Sequence, residues 1–483
     1  MVTDRDGRSA AHVAGVDLRR LSPADAGRLL EIVFTLARHG VVGVARRGPF
    51  VVLRPRRRAP RAVAVALRRS FADLGPTFVK LGQLIASSPG LFPSVLSEEF
   101  RSLLDALPPE PASRVRSVIE RELHAPIHQL FAAFDDRPVA AASIAQVHEA
   151  SLHDGTRVAV KVQRPHLRRR IERDLRLLHL LARALERAGR LGEMANPRAI
   201  VEDLAATLAA ELDFRIEAEA MRQFRRNLVS EGHEPRVAVP VPIDAMVTAR
   251  VLVMTYVDGK PIDLVAASDD RPDDLLDLGL EAVRVWLEGA LRYGLFHGDV
   301  HAGNLFLDLP ETVALLDFGI MGRFEDHTRR ALTETLPAAI GPVVLQQQYE
   351  RVRDVVEALE VTDAEDTDFE VLTEQVRELL GAHLTRPLAQ ISYGDILADI
   401  IRLAIRHRLR LPRELVLVAK QAIYFERYAK LIAPELNIFE RPDILRYLLD
   451  GLVDQSLVDS LPAILALVQA SGAPAELRAG GGP

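Results

Sequence analysis

The chain has 483 residues, 48% hydrophobic and 27% charged, with a formal net charge of −6; at roughly 150 residues per unit this length corresponds to about three structural units and room for a sizeable core. The composition excludes a wholly disordered, collagen-like or coiled-coil chain, and the absence of cysteine excludes disulfides, thiolate-bound zinc, iron–sulfur clusters and thiol nucleophiles. A slightly acidic balance gives no global electrostatic reason to bind nucleic acid.

In chain order, Met1 to Arg20 is charged throughout and lacks the apolar core and small-residue cleavage site of a signal peptide, so it reads as the start of a cytoplasmic protein. The apolar stretches Leu29 to Leu36, Val41 to Ala45 and Leu461 to Val468 fall far below the roughly 18 residues of a membrane span. No transmembrane helix is expected. Arg46, Arg47, Arg54, Arg56, Arg57, Arg58 and Arg61 crowd one segment beside apolar residues. They read either as a solvated charge run or as a peripheral anchor on an anionic membrane surface, the inner face of the cell membrane. Pro55 and Pro60 close this leader, residues 1–60, and a helical extension, residues 61–130, follows. Within it Gly75-Pro76-Thr77 opens a new helix, with the proline in a first turn that needs no N–H; that helix carries Lys80 and Gln83.

Ala140 to His148 and Arg157 to Val162 read as two strands around His153-Asp154-Gly155, since Asp-Gly between apolar runs is a hairpin signal. Asn196-Pro197 supplies a helix cap and first-turn proline, and Ile200, Leu204, Leu208 and Leu212 mark one face of a helix expected to run to about Asn227. Val251 to Val257 reads as a strand, His297 to Asn304 as a loop and Val313 to Leu316 as a strand. The pattern is then helical from Asp326 to Val468, with breaks expected near Pro342, Pro387 and Pro412, and the tail 471–483 reads as disordered. A small sheet-bearing lobe, residues 131–257, followed by a larger helical lobe, residues 258–470, predicts a bilobal α+β fold.

The residues that carry chemistry form an ordered series. His297-Gly298-Asp299 is followed five residues on by Asn304 and, after an apolar strand, by Asp317-Phe318-Gly319. Phosphoryl transfer needs a carboxylate at the attacking hydroxyl and oxygen ligands for magnesium; Asp299 has the spacing of the catalytic aspartate, and Asn304 and Asp317 that of the metal ligands. Upstream, Val158-Ala159-Val160-Lys161 supplies the phosphate-binding lysine, in a chain with only five lysines, at 80, 161, 260, 420 and 430. The stretch Val139-Ala140-Ala141-Ala142-Ser143-Ile144-Ala145-Gln146-Val147 stands where a kinase-like nucleotide loop belongs, with alanine in place of glycine, so its backbone meets phosphate differently. Met254 and Tyr256, at the end of the 251–257 strand, are the expected adenine-edge residues.

In these elements, and in Lys80-Leu81-Gly82-Gln83 and Glu211-Leu212-Asp213, the chain over residues 70–325 resembles the UbiB/AarF family of atypical, protein-kinase-like proteins linked to isoprenoid quinone biosynthesis. The resemblance implies a kinase-like fold with an N-terminal helical extension over the active site, ATP and Mg2+ as cofactors, and a lipid or quinone-like small molecule among the partners. Both Glu211 and Glu217 are candidates to pair with Lys161; Glu217 is favoured because it leaves a normal distance to the next strand, with Glu211 and Asp213 then falling to Lys80. The preferred reading is a phosphotransferase or ATPase acting in, or regulating, quinone or lipid metabolism. The alternatives are a nucleotide-gated binding module without productive phosphotransfer, and a small-molecule kinase of aminoglycoside or choline type.

Overall fold

The computed structural model describes residues 12–13, 16–17, 22–40, 59–86, 93–100, 109–187, 197–268, 272–308, 312–346, 348, 350–360, 368–384, 393–407, 409, 413–433, 436 and 441–472. Arg46 to Arg58, Val41 to Ala45, Asn196, Pro387, Pro412 and residues 473–483 lie outside these. By contact the chain divides into two compact units, residues 1–218 with 242–256, and residues 219–241 with 257–483.

In the first unit, α1 (Pro23–Arg38) opens with a capping box in which Asp25 accepts from the Ser22 backbone at 2.6 Å. Its Arg28 makes a buried fork to Asp174 of α6 (Leu167–Arg187), at 2.6 and 3.1 Å. Between α2 (Ala59–Leu74) and α3 (Pro76–Ala86), Gly75 takes φ 93°, a left-handed turn that suits glycine and sets Pro76 as the first residue of α3. Val79 and Ile85 of α3 pack with Phe100 of α4 (Ser94–Phe100).

The sheet of this unit contains β1 (Ala133–Ala141), β2 (Ala145–Ser151), β3 (Arg157–Gln163), β4 (Pro242–Val247) and β5 (Val251–Thr255), ordered β1-β2-β3-β5-β4 and antiparallel throughout. Strand alternation turns Val158, Val160 and Val162 of β3 toward Val115, Val118 and Ile119 of α5 (Ala112–Leu123). Each such side chain, fully buried, contributes about 1.5–3 kcal/mol before chain entropy is counted. The turn between β2 and β3 has Gly155 at φ 89° and Asp154 accepting from Thr156 N–H at 2.9 Å, as Asp-Gly predicts.

Three expectations need correction here. The sheet begins before residue 140, and Ala140 to His148 is two strands joined by a turn at Ala142 to Ile144, where Ala142 N–H donates to Ala145 C=O at 2.8 Å. The expected helix from residue 196 to 227 is also two, α7 (Pro197–Glu211) and α8 (Phe214–Glu231). Asp213 breaks it: its carboxylate accepts from Arg215 N–H at 3.1 Å, while Phe214 N–H leaves the helix to reach Ala249 C=O at 3.1 Å. The strand expected to reach Val257 ends at Thr255. Leu204, Leu208 and Leu212 pack against Leu167, Ile171 and Leu175 of α6, so the period-four face does form the core of this unit.

The second unit pairs β6 (Leu295–His297) with β9 (Met321–Arg323), and β7 (Leu305–Asp308) with β8 (Thr312–Leu315); Val237–Ala238 runs parallel beside β8 and Lys260–Pro261 antiparallel beside β7. Behind them lies α9 (Leu275–Leu291), whose Gly289 lets the helix approach β6 so closely that an added Cβ would stand 2.7 Å from Leu295 O. Helices dominate the rest, including Leu336–Gln346, Phe369–Leu384, Tyr393–Arg406, α10 (Arg413–Ile432) and Gln455–Gly472. Pro342 lies within a helix instead of ending one. The adjacent Gly341 lies close to Ser460, where an added Cβ would stand 3.3 Å from Ser460 Oγ.

Candidate functional site

In the first unit Lys161 occupies the central strand β3, paired in register with Val147 and Leu252. Alternation puts it on the face opposite the α5-packed valines. Its Nζ lies 2.7 Å from Glu217 Oε1, with side chains 10% and 5% exposed, and 5.5 Å from the centre of the Phe214 ring. Glu217 sits in the first turn of α8, where the helix dipole favours a carboxylate. The break at Asp213 thus does positional work, because it starts a new helix that aims Glu217 at β3 while Glu211 stays on α7. Glu211 Oε1 is 2.7 Å from Lys80 Nζ, with side chains 5% and 14% exposed. Gln83 lies half-buried one turn further along α3. Asp213 does not join Lys80. Both its oxygens hold the Arg215 guanidinium, at 2.8 and 2.6 Å, and that hydrogen bond holds its carboxyl below the usual carboxylate range.

The alanine-rich stretch divides by burial. Val139, Ala140 and Ala142 are exposed, and Ala141, Ile144 and Val147 half-buried. Ser143 and Ala145 are buried, and Gln146 is buried with its carboxamide bonded to Glu110 N–H at 2.8 Å and to His148 Nε2 at 2.8 Å. The Gln146 carboxamide is thus engaged within the sheet and its flank. Arg164 Nε donates to Ala142 C=O at 2.9 Å, holding the turn against β3. Met254 is on β5, and Tyr256 N–H donates to Arg157 C=O at 3.1 Å with its ring stacked on the Arg157 guanidinium, 4.5 Å away. That N–H is engaged and is not a donor for an adenine edge.

In the second unit the loop after β6 is held from three sides. His297 is fully buried: Nδ1 accepts from Asp299 N–H at 3.1 Å and Nε2 donates to Leu316 C=O at 2.9 Å. Burial pushes this imidazole below its ordinary value and keeps the ring neutral, the state its two bonds require. Asn304 Nδ2 donates to Asp299 C=O at 2.9 Å, and Leu316 N–H donates to Asn304 C=O at 2.8 Å, so the loop and the segment leading to Asp317 are tied together. Asp317 is exposed at φ 57°, a left-handed conformation uncommon outside glycine, asparagine and aspartate and frequent at functional sites.

Among the described residues no group of three or more His, Asp or Glu side chains is arranged to hold a metal unaided. Magnesium asks for less, binding through one or two carboxylates plus substrate phosphates while keeping several waters. The oxygen donors of Asp317 and Asn304 fit that need.

The third support comes from residues that motif reading missed. Gln421, fully buried on α10, accepts from Val300 N–H and donates to Gly298 C=O, both at 2.7 Å, bracketing Asp299. Lys420 Nζ lies 2.5 Å from Asp299 Oδ1, and Tyr428 OH reaches Val300 C=O at 3.4 Å. The one available signal was the rarity of lysine.

Compared with known proteins, residues 102–354 match the ABC1 atypical kinase-like domain and residues 376–437 the UbiB helical domain. The chain belongs to this family. Its fold is accordingly kinase-like α+β, with the Lys80-bearing helices before the domain and a helical region after it. Of its relatives, the uncharacterized protein Rv0647c of Mycobacterium tuberculosis is 38% identical over 90% of this chain and 86% of its own length. Proteins named probable protein kinase UbiB are 34% identical in Xanthomonas campestris, over 81% of this chain and 71% of theirs, and 32% identical in Marinobacter nauticus, over 77% and 67%. The Rv3197–erythromycin complex from Mycobacterium tuberculosis covers 78% of this chain and 92% of its own, at 22% identity and a TM-score of 0.47. The helix α10 that grips the Asp299 loop lies within the UbiB helical region of the family member described here.

Proposed function

We propose that this ABC1/UbiB family member is an ATP-dependent phosphotransferase or ATPase whose acceptor is a small phenolic, quinone-like or lipid molecule. The observation that carries the proposal is the loop in which Asp299, Asn304 and the Asp317 segment are bonded to one another through Asp299 C=O, Asn304 C=O and His297. Such fixed carboxylate and carboxamide oxygens do what phosphoryl transfer asks of a protein, which is mainly positioning and charge stabilisation. In this reading Asp299 orients the attacking hydroxyl or water and accepts its proton. Lys161, steadied by Glu217, meets phosphate oxygens. Asn304 and Asp317 would hold magnesium, which would supply charge neutralisation on the phosphates. The end of β1 with the turn Ala142 to Ile144 covers the nucleotide, and Lys80, tethered to Glu211, restrains α3 and thereby the size of acceptor admitted.

Contact with an anionic membrane surface is part of the same proposal. No helix among the described residues is long and apolar enough to cross a membrane. However, α1 leaves Leu30 70% and Phe34 69% exposed, close in sequence to the arginine-rich segment 46–61. The test is ADP release by the purified full chain with ATP and magnesium, with and without anionic vesicles and quinone-like phenols. Turnover that rises with phenol or vesicles is expected. No release above background in any mixture overturns the proposal.

A further inference from the structure

We infer that Lys420 is a positioning residue for the reaction at Asp299, so that helix α10 of the UbiB helical region is a working part of the phosphotransfer machinery. The inference rests on the reading of Asp299 as the group that orients the nucleophile.

The contacts separate two tasks. The backbone of the loop is held by buried neutral groups: Gln421 on either side of Asp299, His297 and Asn304. Lys420 contributes nothing to that scaffold. Among the described residues its one ion pair is with the Asp299 carboxylate, its ammonium standing also 5.7 Å from the centre of the Tyr424 ring on its own helix, and the pair is accessible, with side chains 36% and 21% exposed. Ion pairs of that exposure add about 0–1 kcal/mol to stability, so fold maintenance is a poor account of why a cation stands there. What the contact does decide is the direction of the carboxylate. Lys420 takes Oδ1, while Oδ2 lies 3.9 Å from His301 Nε2, beyond hydrogen-bond distance.

Lysine suits this role better than arginine, because a compact ammonium engages one oxygen where a guanidinium fork tends to take both. The residue choice is informative in this chain, which uses 56 arginines (61 − 5) against five lysines. Sterics explain why the cation comes from so far away. Protein kinases place an arginine immediately before the catalytic aspartate, whereas this chain has Gly298 there. A Cβ on Gly298 would stand 3.0 Å from Ile320 Cγ2, 3.1 Å from Ile320 O and 3.4 Å from Leu417 Cδ1. A side chain at that position would crowd Ile320 and Leu417, and α10, which brings Leu417 into that space, brings Lys420 to the carboxylate one turn later.

The experiment compares Lys420→Met and Lys420→Arg with the wild type for ADP release, ATP affinity and thermal midpoint. Lys420→Met should lower kcat by about 10- to 100-fold, the cost of displacing a catalytic group by about 1 Å. ATP affinity should stay within about twofold and the melting midpoint should not move, as expected for an exposed pair. Lys420→Arg should recover part of the lost turnover. An unchanged kcat in Lys420→Met, or a loss matched by a fall in the midpoint or in ATP affinity, overturns the inference.

A second arm reads the pair without any turnover. Acylation by an amine-reactive ester, followed by peptide mass spectrometry, should modify Lys420 faster in Asp299→Asn than in the wild type and leave Lys430, paired with Glu426, unchanged. Equal Lys420 rates overturn the pair itself. A wild-type protein that releases no ADP in any mixture overturns the phosphotransfer reading and with it the reaction role of Lys420, while the acylation arm still reports whether the pair exists.

Discussion

Replacing one partner of the Lys161–Glu217 pair should cost more than replacing both. At 2.7 Å and an effective dielectric of about 20, Coulomb's law gives roughly 6 kcal/mol of attraction. Desolvating two ions to 10% and 5% exposure costs several kcal/mol each, so the intact pair is near neutral against an apolar replacement. Glu217→Leu strands a buried ammonium and should destabilise the first unit by about 3–5 kcal/mol, eased somewhat by the Phe214 ring 5.5 Å from Nζ. Lys161→Met removes the cation from a buried carboxylate that the first turn of α8 partly stabilises, and should fall in the same range. The double variant restores an uncharged interior and should lose less than either single one. Urea unfolding followed by circular dichroism reads all three, and ATP binding read alongside should stay lost in the double variant although its stability returns. Strictly additive losses, with the double variant the weakest, would refute the reasoning.

Other outcomes follow from the same structure. Gly289→Ala should destabilise the protein by about 1–3 kcal/mol through overpacking, because its Cβ would stand 2.7 Å from Leu295 O in backbone that cannot yield; a thermal melt equal to wild type would contradict this. His233 bonds Glu288 and Glu281 at 2.6 Å each, and the Glu288 bond foremost raises its imidazole above the ordinary value against the opposing effect of burial. A raised folded value means that its contribution is complete below about pH 6.5 and lost as pH climbs through the folded value. The gap in melting temperature between wild type and His233→Leu should therefore be wide at pH 6 and narrow toward pH 9, and a gap independent of pH would contradict the assignment. Ala140→Gly, in the exposed end of β1, should change nucleotide affinity by widening the backbone conformations of the turn, and identical ATP and ADP affinities would remove that turn from the nucleotide site.

The legible parts of this protein were those carried by short spans. Asp299, Asn304 and the Asp317 segment could be read together because loop chemistry fixes their spacing, and hydrogen bonds do tie them to one another; Asp154-Gly155 could be read because a two-residue signal suffices for a hairpin. Alanine has too small a side chain to show period-two patterning, so the Ala142 to Ile144 turn was hidden inside what reads as one strand. Asp213 lies inside what reads as one continuous helix, as a partner of Lys80; only the bond from Phe214 N–H to Ala249 C=O, across a distant part of the chain, shows that it separates two helices. Lys420 and Gln421 lie over a hundred residues from the loop they hold, and nothing local to either could have announced them. Pro342 lies inside a helix although proline is a local helix breaker, so the break expected there from the sequence does not occur.

The most direct test of the central claim compares Asp299→Asn with Asp317→Asn for magnesium-dependent ATP affinity and for ADP production. On the proposed function Asp299 orients the nucleophile, so its amide should lower turnover by about two orders of magnitude or more, the range for a lost general base, with ATP affinity nearly unchanged. Asp317 would hold magnesium on that proposal, so its amide should weaken magnesium-dependent ATP binding and turnover together. Equal effects of the two substitutions on affinity, or background turnover shared by the wild type and both variants, would contradict the account.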